Sequence, residues 1–302
     1  MKKLEVRRIV KDDFSKIDLS KPLVKQFLQN IERWLEREYL TLPNCFAFTE
    51  DGEVVGGVCF ADDTEDELEI MDFAILPGVE NAQDLLTQAT LLAQRKQTKA
   101  ITYNLYDDSE QYAEITDIFM KSGFEIKYKK MQFRYEKNTV PNVKCNVVFK
   151  PVSDVGIDKF IEAVELVTIG TLDKSMADDA KNNGPKKAAI EYVEGMKGIH
   201  FNRQWWKLAY LNDELIGLIL PQKFDDEYSA INYIGVVPAF RGKGYGLQLV
   251  AEGVKTLVED GTKIILADID VDNKPLEAQL LKAGFAYKME EVVMVATVRA
   301  LG

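Results

Sequence analysis

The chain reads Ile231-Asn232-Tyr233-Ile234-Gly235-Val236-Val237, then Pro238-Ala239-Phe240-Arg241-Gly242-Lys243-Gly244-Tyr245-Gly246, then Leu247 onward to Glu259. The first part is apolar and β-branched, as a buried strand requires. The middle is a glycine-rich turn with two cations. Beyond it Leu247, Val250, Ala251, Val254, Leu257 and Val258 recur at helical spacing, and Gly261 offers a stop. Strand, glycine turn and helix in this order aim unpaired backbone N–H groups at an anion.

Gly242, Gly244 and Gly246 allow backbone angles that a Cβ obstructs and leave room for a phosphate against the main chain. Arg241 and Lys243 add positive charge. No acid follows in the helix until Glu252, so its positive end is left for a ligand. The spacing is not that of a dinucleotide fold, and no Ser or Thr follows Lys243 as in a P-loop.

At these residues the chain resembles the GNAT superfamily of acyl-CoA-dependent N-acetyltransferases. The pyrophosphate loop of that family reads [Gln/Arg]-x-x-Gly-x-[Gly/Ala], which Arg241, Gly244 and Gly246 match. Val236-Val237-Pro238 matches its V-x-P lead-in, and Asn273 with Gly284-Phe285 resembles its later N…GF segment. The resemblance implies acetyl-CoA as co-substrate, held by Val236, Val237, Arg241, Gly242, Lys243, Gly244, Tyr245, Gly246 and Asn273. It implies a splayed sheet and main-chain donors near Val236 and Val237 for the growing oxyanion.

An internal repeat organises the rest. Asp51-Gly52-Glu53-Val54-Val55-Gly56 resembles Asn212-Asp213-Glu214-Leu215-Ile216-Gly217, and Phe73 to Pro77 resembles Ile234 to Pro238. Phe119 to Phe124 resembles Leu280 to Phe285. Gly56 and Gly217, Pro77 and Pro238, and Gly123 and Gly284 are each separated by 161 positions. The chain therefore divides into a domain over residues 1–138 and another over residues 143–302, joined by a short polar stretch with Pro141. Each reads as strand, helices, antiparallel strands, then strand-helix-strand. The expected class is α/β (α+β), with two tandem GNAT-like domains, each a mixed, mostly antiparallel sheet flanked by helices.

The copies are not equivalent. Glu80 stands where the second copy has Arg241, Gln83 where it has Gly244, and Leu85 where it has Gly246. A carboxylate there repels a pyrophosphate, so the first copy is expected to have lost the coenzyme loop and to serve as scaffold. The second copy carries roughly nineteen extra residues between Gly170 and Arg203, by comparing the spacing Val6–Gly56 with Val148–Gly217. In the family this region borders the acceptor, so residues 169–203 are expected either to shape acceptor choice or to be a tolerated surface insertion.

Amide formation needs a neutral amine, a donor for the thioester oxygen, and two substrates held together. Where relatives place a Glu, four residues before the V-x-P valine, this chain has Asn232; where they place a Tyr, seven after Asn273, it has Leu280. Candidates for the proton chemistry are then Asn232 holding a water, Tyr233, and Glu227 or Asp226 before the strand. His200 is a further one. The acidic runs at residues 62–67 and 225–227 read as solvated hairpin tips, or in the second case as an attractant for a cationic amine. Of Trp205 and Trp206, one belongs in the core and the other could line the acceptor pocket.

Lys and Arg number 38 against 49 Asp and Glu, a net charge of −11, which argues against nucleic acid as partner. Cys45, Cys59 and Cys145 have no paired or metal spacing, and His200 is the one histidine. No metal, no membrane span and a cytoplasmic setting with reduced thiols are expected. The function expected is acetyl transfer to a small-molecule amine in the second copy, by a monomer or homodimer. The alternative is a non-catalytic acyl-CoA-binding or interaction module. Transfer of a longer acyl or aminoacyl group is a third reading.

Overall fold

The apolar residues of the 231–259 stretch settle into a strand and a helix that share one core. Ile231 packs in the same buried cluster as Val250, Val254 and Leu257. Gly253 makes the close approach possible, since a Cβ there would stand 3.1 Å from both Ile219 and Ile231. These contacts come from a computed structural model that describes residues 2–15, 20–62 and 66–298. Asp63, Thr64 and Glu65 of the first acidic run lie outside the described residues.

The first copy runs β1 (Leu4–Arg8), α1 (Lys11–Ser15), α2 (Pro22–Glu36), β2 (Cys45–Glu50), β3 (Glu53–Asp62), β4 (Glu67–Ile75), α3 (Ala82–Ala93), β5 (Ala100–Tyr106), α4 (Tyr112–Lys121) and β6 (Glu125–Tyr135). The second runs β7 (Val148–Pro151), α5 (Val152–Val155), α6 (Ile157–Thr168), α7 (Lys174–Asn183), α8 (Pro185–Lys197), β8 (Lys207–Leu211), β9 (Glu214–Lys223) and β10 (Tyr228–Val236). It continues with α9 (Tyr245–Glu259), β11 (Ile264–Asp270), α10 (Lys274–Ala283) and β12 (Ala286–Thr297). The expected mixed, mostly antiparallel sheet with flanking helices is what forms in each half.

The compact units do not coincide with the sequence copies. One unit comprises Met1–Lys127 with Glu291–Gly302, the other Tyr128–Glu290. The expected boundaries, 1–138 and 143–302, place β6 with the first copy and β12 with the second. Instead Glu291–Thr297 of β12 pairs antiparallel with β5, register Glu291↔Tyr106 through Thr297↔Ala100. Val292, Met294 and Ala296 are buried in the core of the first unit. In the second unit β6 pairs antiparallel with β11, Tyr135↔Ile265 through Lys130↔Asp270. Met131, Phe133 and Tyr135 fill the core beneath α9 and α10. The last strands of the two copies carry equivalent alternating patterns, so each can close the other's sheet.

The strand order is β1-β2-β3-β4-β5-β12 in the first unit and β7-β8-β9-β10-β11-β6 in the second. In the second unit α6 and α8 cover one face around Trp206, Phe160 and Tyr233, and α9 and α10 cover the other. The extra residues of the second copy form most of α7 and α8, which meet at Gly184 (φ 86°) before Pro185. The turn signal at residues 181–185 is thus a break between two helices, and α8 packs Ala189 and Val193 into the core.

The repeat also explains its own glycines. A Cβ on Gly217 would lie 2.2 Å from the carbonyl oxygen of Gly235, and one on Gly56 would lie 2.2 Å from that of Ala74. Both glycines let the neighbouring strand press close where the central strand ends. The next bond is shared as well: Leu76 N–H donates to Val55 and Val237 N–H to Ile216, each at 2.8 Å.

Candidate acetyl-CoA site

β10 and β11 lie parallel and pair only over Tyr228–Ala230 with Ile264–Leu266. Beyond Ala230, β10 stays with β9 as far as Val236↔Gly217, so a wedge opens between β10 and β11. Antiparallel ladders alternate, and Val237 N–H bonds to Ile216 on the β9 side. The polar groups of Ile234 and Val236 therefore face the wedge. Of the two donors expected near the thioester, Val236 N–H points into the opening, whereas Val237 N–H is already bonded to the sheet.

The wedge ends at the glycine loop. A single 3-10 turn over Pro238–Phe240 leads into Gly242 (φ 76°) and Gly244 (φ 85°), and Gly244 is the N-cap of α9. No Cβ built at either glycine meets an atom within 4 Å. No acid lies in the first turn of α9. Among the described residues, the main-chain N–H groups of Gly242, Lys243 and Gly244 have no acceptor. These groups fit a diphosphate. Gly246 has another role: it is already helical, and a Cβ there would stand 3.3 Å from Gln279 on α10. Phe240 and Tyr245 meet edge to face at 6.2 Å, and the Lys243 ammonium lies 5.0 Å from the Phe240 ring centre.

Arg241 corrects the sequence reading. Its guanidinium does not stand free at the loop. It donates to the carbonyls of Val236 (3.0 Å), Gly170 (2.8 Å) and Val167 (2.8 Å). These are the end of β10, the last turn of α6 and the residue Gly170 just beyond it, where a planar cation is well suited to unpaired carbonyls. Arg241 thus holds the α6–α7 turn against the glycine loop and shapes the site through position. Lys243 remains the cation of the loop itself.

The residues expected to move protons are dispersed. Asn232 is the bulge in β10, between Ile231↔Pro221 and Tyr233↔Leu220. Its amide donates to Gln222, whose own amide donates to the carbonyls of Met196 and Ile199 at the end of α8. Asn232 therefore ties β10 to β9 and α8. Tyr233 is buried on the α6–α8 face, and its hydroxyl lies 3.1 Å from Thr168 Oγ1. Thr168 gives its one proton to Val164 at 2.8 Å, so Tyr233 donates to Thr168. Burial pushes the Tyr233 phenol up to about 12, so it is a proton donor and not a base at neutral pH.

Asp225, Asp226 and Glu227 form the turn that begins β10, with Asp225 accepting from the N–H groups of Glu227 and Tyr228. The nine residues of β10 separate that turn from the glycine loop, about 26–30 Å along the strand. Glu227 is not brought to the site. His200 and Trp205 share a surface depression with Lys223 and Asp260, at that same remote end. Trp206 is the core member of its pair, with no exposed surface. Asn273 caps α10, accepting from Leu276 N–H at 3.3 Å, and Leu280 is buried in the core beside α9.

Sequence reasoning missed three groups near the wedge. Asp173 caps α7, accepting from Met176 N–H at 3.0 Å and Ser175 Oγ at 2.8 Å. Asp270 ends β11 and accepts from Lys174 N–H at 3.0 Å. Tyr192 of α8 donates to the Asn232 carbonyl at 3.1 Å, with its ring 5.0 Å from that of Tyr233. Burial raises the Asp270 carboxyl above the ordinary range, opposed by the Lys174 N–H and reinforced by the Asp173 charge. Burial likewise raises Tyr192, and Asp173 adds to it. An Asp three residues before the Asn of the later segment was a legible feature; that it is buried was not.

In the first unit the equivalent wedge exists, with β4 and β5 paired only over Glu67–Ile70 and Ala100–Tyr103. Its loop differs as expected. Glu80 is exposed, Asn81 takes φ 57° as N-cap, Asp84 lies in the first turn of α3, and Leu85 is buried.

A splayed mixed sheet ending at a glycine loop and a bare helix start defines the GNAT-type fold. Residues 174–285 match the Acetyltransferase (GNAT) family. The fold is similar over 97% of this chain and 95% of the other to a GCN5-related N-acetyltransferase from Sphaerobacter thermophilus, with TM-score 0.66 and 14% identity. It is similar to a tandem GNAT protein from the clavulanic acid biosynthesis pathway over 99% of both chains, with TM-score 0.56 and 14% identity. A mycothiol acetyltransferase from Corynebacterium efficiens is 35% identical over 81 residues. That match spans 27% of this chain and 27% of the relative.

Proposed function

We propose that the second unit is an N-acetyltransferase that moves an acetyl group from acetyl-CoA to the amine of a small acceptor by direct attack. One observation carries the reading: unpaired amides at Gly242, Lys243 and Gly244 lie at the mouth of a wedge lined by the main-chain groups of Ile234 and the N–H of Val236. The diphosphate binds the first group and the pantetheine arm the second, which brings the thioester to the Val236 N–H. The protonated amine loses one proton, its neutral nitrogen attacks the carbonyl carbon, and the C–S bond breaks. The thiolate leaves with a proton from nitrogen; a free thiol pKa of about 8.5 makes it an acceptable leaving group. The first unit, with Glu80 and Leu85 in place of the loop residues, is the scaffold. Free thiols at Cys45, Cys59 and Cys145 fit a reducing cytoplasmic setting.

The second reading is a module that binds acyl-CoA without turnover. The Asn232–Gln222 pairing and the buried Leu280 favour it, because neither position handles a proton. Release of free thiol from acetyl-CoA across a panel of amines separates the two, with binding followed by calorimetry. The transferase reading expects thiol release with at least one amine, and both binding and release lost in Gly244→Val, whose φ of 85° strains a β-branched residue. Binding without release from any amine supports the module. A competition series of acyl chain lengths tests the longer-acyl reading.

A further inference from the structure

Asp270 is 2% exposed, and of its two carboxylate oxygens only Oδ2 is bonded, to Lys174 N–H at 3.0 Å; Oδ1 is buried with no partner among the described residues. A buried charge half satisfied in this way calls for a donor. Asp270 lies four residues past Leu266, the last β11 residue paired with β10, so it stands on the open arm of the wedge. Lys130 is opposite it on β6, and Lys174 turns its ammonium to Asp272 at 2.6 Å. Asp173 lies near enough for its charge to act on Asp270, Tyr192 and Tyr233 alike. Asp173 is half-buried and opens the α6–α7 turn to solvent, beside exposed Ile169 and Leu172. The same turn is held to the coenzyme loop through Gly170 and Arg241.

Resting on the transferase reading, we propose that Asp173 and Asp270 form the acceptor's ammonium site and select a cationic alkyl amine. Asp173 receives the incoming cation. The unbonded oxygen of Asp270 takes the first proton, converting the ammonium to the free amine. Nitrogen then forms its bond to the carbonyl carbon, the C–S bond breaks, and the second nitrogen proton leaves with the thiolate. Asp270 returns its proton to water, so the net reaction is thioester plus ammonium giving amide, thiol and one proton.

The test compares two acceptors with acetyl-CoA and the full chain: an aliphatic diamine, cationic at neutral pH, and an aromatic amine, already neutral there. Asp270→Asn keeps an oxygen for Lys174 N–H, and melting temperature checks its fold. We expect it to lower kcat/KM for the diamine by about 100-fold or more, and for the aromatic amine by less than about fivefold. Asp173→Asn is expected to raise KM for the diamine about tenfold with kcat little changed. Calorimetric affinity for acetyl-CoA stays within about twofold of wild type in both, since neither carboxylate meets the diphosphate. Equal losses with both amines, unchanged rates, or parallel loss of acetyl-CoA binding overturn the inference. Should Asp270→Asn fail to fold, Asp173→Asn decides through its selective effect on KM. A wild-type chain that acetylates the aromatic amine but not the diamine overturns this inference alone; one that binds acetyl-CoA and releases thiol with no amine of the wider panel overturns the transferase reading, and this inference with it.

Discussion

Arg241 and the cysteines show how much a residue's role depends on what it meets. The guanidinium of Arg241 bonds three carbonyls in a fork that Lys cannot reproduce. Arg241→Lys is therefore expected to weaken acetyl-CoA binding about as much as Arg241→Ala, and to expose residues 169–173 to limited proteolysis. Retained affinity in the Lys variant points back to charge alone. Cys45 and Cys59 have no suggestive spacing, yet the register of β2 and β3 puts them directly opposite, both buried and free. Burial pushes the Cys45 thiol up to about 12, and Cys59 well above its ordinary value. Thiol titration is expected to find Cys145, which is exposed, reactive in the native chain and the other two only after unfolding. The sign of the pH effect follows. An unfolded thiol ionises near about 8.5 while the folded one stays protonated, so above that pH the unfolded state binds fewer protons. This contribution to stability is complete below the unfolded pKa and is lost as pH rises toward the folded one. The denaturation midpoint should fall between pH about 8 and about 10, with a shallower fall in Cys45→Ala.

At the scale of elements, β9, β10 and the loop into α9 do most to build the site. Gly217 lets β9 lie against the end of β10, with only 2.2 Å for a Cβ before the Gly235 carbonyl. Gly217→Ala is expected to cost about 1–3 kcal/mol, as overpacking does, read as a lowered melting temperature, and to reduce acetyl-CoA binding by moving Val236. A neutral effect on both counts against the close approach. The strand, the loop and the helix start were legible because glycine, β-branched and helical spacings each report local backbone geometry. The bulge at Asn232 was not, although Met71, 161 positions earlier, is bulged in the same way between Ile70 and Asp72. A bulge is set by pairing with the neighbouring strand, which no local spacing records.

At the scale of the whole molecule, the two copies complete their sheets with each other's last strand. Removing residues 291–302 takes Val292, Met294 and Ala296 from the first unit's core. Burying Val292 and Met294 contributes about 1.5–3 kcal/mol apiece, and with the ladder to β5 lost as well the deletion is enough to unfold a domain of ordinary stability. Protease sensitivity is expected to rise within Met1–Lys127 while Tyr128–Glu290 stays protected. A fragment of residues 1–138 should likewise fail to give a cooperative melt. Independent, cooperative folding of that fragment would reverse the assignment of strands to units. Among the described residues no helix is long and apolar enough to cross a membrane, and no cluster of His, Cys, Asp or Glu is set to hold a metal.

By itself the sequence determined the duplicated plan, the order of strands and helices, and the glycine loop with its loss in the first copy. All of these depend on backbone preferences and on apolar spacing within a few turns of chain. Only the tertiary structure decided that Arg241 faces carbonyls, that Glu227 lies a strand's length from the loop, and that β6 and β12 change places. It alone buried Asp270 with one oxygen unpaired, because burial and partnership arise when segments distant in sequence meet, and no residue carries its neighbours' positions in its own chemistry.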